Sequence, residues 1–348
     1  MYMKTAKNNK PELNIYIFLR IYFTMKTVSN YFLTILIIIF GICLIFFSSS
    51  NIAAVQSSID LFLNAVFPSL FPFLIVSELL SYTTVVSFLS AKCEKIMKPL
   101  FNVPGVGAYP FIMGLLSGYP VGAKIVADLR AQNFISKSEG ERLLIFTNNA
   151  GPLFVIGSIG FSMYLNSTIG FLFLGVNIVS SIFTGFIFGK FYSKNNRNYS
   201  NTKACELSFS SLADIISKSI RKAFFTLSNV CGFIILFSLI ISMIKASGVL
   251  DLINNIWIQY FILGIIEITN GIKLISTISG QSLFFNLIFT SVLLGTGGIC
   301  VLLQVWSCTS NTDLSIKPYI LGKICCGLFA GGLMFIILNI FPILQFAI

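Results

Sequence analysis

The chain contains no histidine. That removes the commonest general base, the commonest metal ligand and the usual charge switch near neutral pH. Charge of either sign is scarce. Asp and Glu number 12, and charged residues make up 10% of the 348 residues; a soluble domain carries about 25%. No GxxxxGK[ST], HExxH or GxSxG sequence occurs, which argues against nucleotide hydrolysis, zinc proteolysis and α/β-hydrolase chemistry. The eight cysteines (Cys43, Cys93, Cys205, Cys231, Cys300, Cys308, Cys325, Cys326) follow no zinc or disulfide spacing. Adjacent Cys325 and Cys326 read as small helix-packing residues. With no nucleophile beside a base, an enzyme is not expected, nor is a cofactor or a metal.

What is abundant is apolar sequence. Hydrophobic residues reach 56% and mean hydropathy is +0.90. We expect an all-α polytopic membrane protein, with about seven transmembrane helices plus two re-entrant or broken helical hairpins in two inverted repeats. The net charge of +11 is carried in short loops between apolar spans. Orientation in the bilayer accounts for it, and no nucleic acid partner is expected.

In chain order, residues 1–27 form a basic tail with Lys4, Lys7, Lys10, Arg20 and Lys26. Met25 opens a second ordinary start, so residues 1–24 read either as an upstream extension or as part of that tail. An uncleaved signal anchor, Val28–Phe47, leads to an uncharged linker, Ser48–Ser58. The first repeat spans 59–189. Its span Ile59–Ser81 should kink at Pro68 and Pro72, with Glu78 at the cytoplasmic interface, and its loop Ser90–Leu100 holds Lys92, Lys95 and Lys98. A basic linker, 190–222, separates it from the second repeat, 223–348. That half holds spans at Ala223–Ile244, Leu283–Trp306 and Ile320–Phe346.

The stretch Phe111–Ile159 organises the chain. Pro104, Gly105, Gly107, Pro110, Gly114, Gly118, Pro120 and Gly122 crowd into one apolar segment. Interior proline breaks the helical ladder, and freed backbone groups survive at membrane depth only beside protein or a watery cavity. Val103–Ala123 therefore reads as a broken or re-entrant helix with Ser117, Gly118 and Tyr119 at its tip. Asn148-Asn149-Ala150-Gly151-Pro152 interrupts the next span, Leu143–Phe161, where amides are costly unless they bind something. Each element alone is equally a packing kink; together they favour a site. Between them, Ser136 and Glu139 form a capping box that opens a helix.

The second half repeats the plan. FILGIIEITNGIK (Phe261–Lys273) resembles FIMGLLSGYPVGAK (Phe111–Lys124), matching Gly114 to Gly264, Ser117 to Glu267, Pro120 to Asn270 and Gly122 to Gly271. With the N-terminus cytoplasmic and both broken segments re-entrant, every Lys and Arg but Lys245 and Lys273 falls on the cytoplasmic side. Three crossings per repeat then invert the second repeat, a secondary-transporter arrangement.

SGYPVGAK (Ser117–Lys124), SEGERLLIFTNNAGPLFVIGSIG (Ser138–Gly160) and EITNG (Glu267–Gly271) resemble the YlbJ-type sporulation integral membrane proteins, which carry the nucleoside-recognition or gate domain. The resemblance covers roughly residues 30–345 and extends to the cores of concentrative nucleoside transporters. It implies a spore-formation role, transport of a small metabolite such as dipicolinate, and a multi-pass protein of the mother-cell or outer forespore membrane. The second half departs with Leu293–Gly298 (LLGTGG) where the first has the two amides.

The expected activity is transport of a small anionic or heteroaromatic solute; a nucleoside transporter and a non-transporting scaffold are the alternatives. Candidate solute residues are Ser117, Gly118, Tyr119, Lys124, Asn148, Asn149, Gly151, Glu267, Thr269 and Asn270. Lys124 reads either as a substrate group or as a snorkelling interfacial lysine. Glu267 reads either as a loop carboxylate or as a solute or proton ligand. The partners are the solute and the bilayer; a homo-oligomer is compatible with this plan, and the sequence does not identify a coupling ion.

Overall fold

The computed structural model describes residues 31–191, 212–278 and 283–341. The basic tail and most of the basic linker lie outside these. All regular structure among the described residues is helical. The chain divides into two units, 1–53 and 54–348.

In the first unit, α1 (Tyr31–Phe46) is apolar and exposed on every face, as Ile37, Ile38 and Phe46 show. An all-round apolar helix belongs in lipid or in a core. The expected start of its span, Val28, falls outside the described residues. Ser48–Ser58 is not a linker but helix: α2 covers Ser48–Leu61. The segment contains neither Pro nor Gly, and Ser58 Oγ donates to the Ala54 carbonyl at 2.7 Å within the ladder.

In the second unit, one π-helical turn, Phe62–Val66, joins α2 to α3 (Phe67–Ser81). The expected break at Pro68 does not occur: Ser48–Ser81 runs as one continuous helix, with the π-helical turn directly ahead of the proline. Ser90–Leu100 is likewise not a loop. It lies in α4 (Val85–Phe101), an amphipathic helix that ends on left-handed Asn102. Helix α4 then turns by 90° into the segment Gly105–Ser117.

That segment contains α5 (Ala108–Ser117), which turns back through Gly118–Pro120 into α6 (Val121–Ala131). A second helical hairpin pairs α10 (Ile256–Ile266) with α11 (Ile268–Ser276). The legs close through glycine in both. A Cβ on Gly122 would lie 3.3 Å from the Gly114 Cα and would overlap the Thr147 carbonyl, and a Cβ on Gly271 would overlap Gly264. These are the glycines that the two sequence segments share.

Each hairpin leans on a broken helix. The first is α7 (Lys137–Thr147), interrupted at Asn148–Gly151 and resumed as the π-helix Leu153–Met163. The capping box forms: Ser136 N and Oγ donate to Glu139 Oε2 at 2.8 and 2.6 Å. The second is α12 (Leu283–Thr296) and α13 (Gly298–Thr309), split at Gly297, whose φ of +78° suits glycine. Long helices α8 (Ser167–Phe191), α9 (Leu212–Ala246) and α14 (Lys317–Ile340) complete the unit. Among the described residues, five helices are long and apolar enough to cross a membrane, or six if the bent pair counts as one span.

Candidate solute-binding site

Cavities follow α9 from end to end. Near Lys222, a cavity of about 250 Å³ is lined by Ser77, Glu78, Tyr82, Lys124 and Asp128. Around Val230 and Ile234, a central cavity of about 70 Å³ meets both hairpin tips. Toward Lys245, a cavity of about 220 Å³ is lined by Ser57, Ser238, Ser242 and Asn270. Lys222 and Lys245 are about 35 Å apart along the axis at 1.5 Å per residue, against a hydrocarbon core about 30 Å thick. On α3 the order reverses, with Ser77 and Glu78 beside Lys222 and Ser69 and Leu70 at the centre. Helices α3 and α9 thus run antiparallel.

The hairpins enter from opposite ends. Lys124, on the second leg of the first hairpin, lies in the Lys222-end cavity, and Asn270, on that of the second, in the Lys245-end cavity. Both tips reach the middle. Gly118 has φ +91°, and a Cβ there would come within 2.7 Å of Gly151 N, so the first tip rests on the α7 break. Gly298 rests on the second tip in the same way, where a Cβ would come within 2.9 Å of the Ile265 carbonyl. Tyr119 crosses between the halves and donates from Oη to the Leu294 carbonyl at 3.1 Å.

Six of the candidate residues line the central cavity: Ser117, Gly118, Tyr119, Gly151, Glu267 and Thr269. Ser117 Oγ is buried and has no hydrogen-bond partner among the described residues. Glu267 caps α11, its carboxylate accepting from Thr269 N at 3.0 Å and Asn270 N at 2.8 Å. It is 2% exposed, so it is not a loop carboxylate in water. Ser69, Cys300 and Gln304 also line this cavity. A glutamine in an apolar span is a visible signal, but nothing local joins Gln304 to a tip remote in sequence.

The other four candidates lie elsewhere. Lys124 is held by Glu78, which also accepts from Lys222 Nζ at 3.2 Å. Lys124 therefore neither reaches the central cavity nor snorkels freely, and Glu78 is 5% exposed. Asn270 donates to Ser238 Oγ at 3.1 Å and to Glu267 Oε2 at 2.8 Å. Asn148 and Asn149 face α14. Asn148 Nδ2 donates to Tyr319 Oη at 3.1 Å, and Asn149 Oδ1 accepts from Lys323 Nζ at 3.2 Å. Two cations counted on the cytoplasmic side are interior: Arg142 is 2% and Lys323 3% exposed.

The Gate family model, described as nucleoside recognition, matches residues 63–194. These contain the first hairpin, its broken partner and α8. The sporulation integral membrane protein YlbJ of Bacillus subtilis (strain 168) is 32% identical over 312 residues, 81% of this chain and 76% of that protein. The chain belongs to the YlbJ family. No solved structure matches it. In this YlbJ-family chain the Gate match ends soon after α8, so α9 and the second hairpin lie beyond it.

Proposed function

We propose that the chain transports a small heteroaromatic solute across a membrane of the sporulating cell, as a secondary transporter or facilitator built from two inverted repeats. The observation that carries this reading is the row of cavities along α9, with opposed hairpin tips meeting at the middle one. Opposed broken helices around a midplane site suit alternating access. At about 70 Å³ the central cavity accommodates a few waters rather than a ring system, so loading requires a hairpin tip to withdraw. The Tyr119 ring offers a stacking face, Ser117 Oγ an unused polar group, and Gln304 an amide.

Dipicolinate and a nucleoside are the two candidates. Lys245 at one outer cavity favours attraction of an anion, whereas Lys124 and Lys222 at the other are offset by Glu78 and Asp128. The central lining carries Glu267 and no cation, which favours the uncharged ring. Flux of both solutes into proteoliposomes decides between them. Transport should exceed that of empty vesicles and fall in Ser117→Ala. If neither solute moves while the chain still supports spore maturation, it acts as a scaffold instead.

A further inference from the structure

The transport reading leaves a buried lysine unused. Lys323 lies on α14, 3% exposed. Its Nζ donates to Asn149 Oδ1 and, among the described residues, makes no other hydrogen bond and no ion pair. An ammonium has three donors, and ionisable groups at membrane depth are rare and mostly functional. The surrounding groups offer no fixed counter-charge. Tyr319 and Cys326 share its helix, and Cys326 is near enough to interact electrostatically. Helix α8 carries only Lys190, next to its last residue and itself a cation, and α12 carries no acid or base. On α7, the charged groups Lys137, Glu139, Glu141 and Arg142 all precede the break by more than a turn.

What Lys323 does face is the end of a half-helix. The break after Thr147 frees the last carbonyls of α7 from intrahelical partners. Such an end carries partial negative charge, and half-helix C-termini in transporters coordinate cations. Asn149 joins the two parts: Nδ2 donates to the Phe146 carbonyl at 2.8 Å while Oδ1 accepts from Lys323.

We propose that Lys323 is a proton-binding site built into this break, occupying the place where a coupling metal cation would otherwise be held. Protonated, Nζ draws Asn149 onto the end of α7 and keeps the break closed. On deprotonation one N–H bond breaks, the proton passes to water and nitrogen keeps the electron pair; the hold on Asn149 weakens. This rests on the transport reading for its purpose, since it makes the proton the coupling ion.

Hydrogen–deuterium exchange on the purified full chain in detergent, without solute, tests it. Exposure times are scaled so that intrinsic exchange is equal at pH 6 and pH 9. Peptides covering Asn148–Phe154 should exchange at least about threefold faster at pH 9 in the wild type. Lys323→Met should show no pH dependence, and Lys323→Arg should stay protected at both values. If Lys323→Met does not fold, Asn149→Leu with Lys323→Met removes both partners and leaves neither unpaired; it too should be flat. The same pH response in a methionine variant, or none in the wild type, overturns the proposal. A Lys323-dependent response in a protein that moves no solute sinks the transport reading alone. Solute flux with pH-independent exchange sinks the Lys323 proposal alone.

Discussion

Tyr119 Oη donates to the carbonyl of Leu294, and so the tip of one hairpin satisfies the end of the helix that the other hairpin leans on. Leu294 is in the last turn of α12, where carbonyls lose their intrahelical donors. Tyr119→Phe removes the donor and keeps the ring. It should cost about 1–3 kcal/mol of stability, the cost of an unpaired buried acceptor. Thermal unfolding in detergent measures this, and an unchanged midpoint would mean that water replaces the phenol.

The hairpin glycines should be intolerant. A Cβ at Gly114, Gly122 or Gly271 meets backbone rather than a flexible side chain, whereas one at Gly157 meets nothing within 4 Å. Gly114→Ala and Gly271→Ala should therefore lower accumulation in the membrane severely, and Gly157→Ala should not. Quantitative immunoblotting of membrane fractions separates the cases.

Asn148 and Asn149 should behave as structural amides. Their partners Tyr319 and Lys323 are buried and lose a bond when either amide is truncated. Asn148→Ala and Asn149→Ala should each destabilise the chain by about 1–3 kcal/mol. Normal accumulation and unfolding midpoint, with flux alone lost, would return both amides to the solute.

Glu267 combines two duties that substitution separates. Glu267→Ala loses the cap of α11 and should cost about 0.5–2 kcal/mol. Glu267→Gln keeps a capping oxygen and removes the charge from the central cavity. Its stability should stay close to wild type while the flux ratio of dipicolinate to nucleoside rises. A ratio that does not move removes the carboxylate from solute selection.

Outside the membrane spans, Arg130 grips Asp313 with Nε at 2.8 Å from Oδ1 and Nη2 at 3.0 Å from Oδ2. The guanidinium holds the Asp313 carboxyl below the usual aspartate range. A lowered folded-state value contributes stability above the ordinary value near 3.9 and loses it as pH falls through the lowered one. The pair is partly exposed, so the effect should be about 0.2–1 kcal/mol. Asp313→Asn should unfold slightly earlier than wild type at pH 6, and the gap should close toward pH 3. An equal gap at both values assigns the loss to packing.

The sequence by itself determined the solvent and the interruptions. Apolar runs place this chain in lipid, and Gly118-Tyr119-Pro120, Asn148–Pro152 and Glu267–Gly271 mark where helices cannot continue. Those signals are local, because a proline or a capping carboxylate acts on its own turn. Even the equivalence of Gly114 with Gly264 and of Gly122 with Gly271 was legible, since close-packed hairpin legs demand small residues at fixed spacing. Only the tertiary structure decided who meets whom. Lys323 read as a cytoplasmic-side cation and is buried opposite Asn149; Lys124 read as a solute group or a snorkelling lysine and is held by Glu78; Ser69 and Gln304 join Ser117 at one cavity. Helices such as α8 and α14 face lipid on one side and protein on the other, and both surroundings select apolar side chains. The periodicity that reveals a soluble helix's inner face is therefore nearly erased, and helix rotation and hairpin depth are set by packing between segments far apart in the chain.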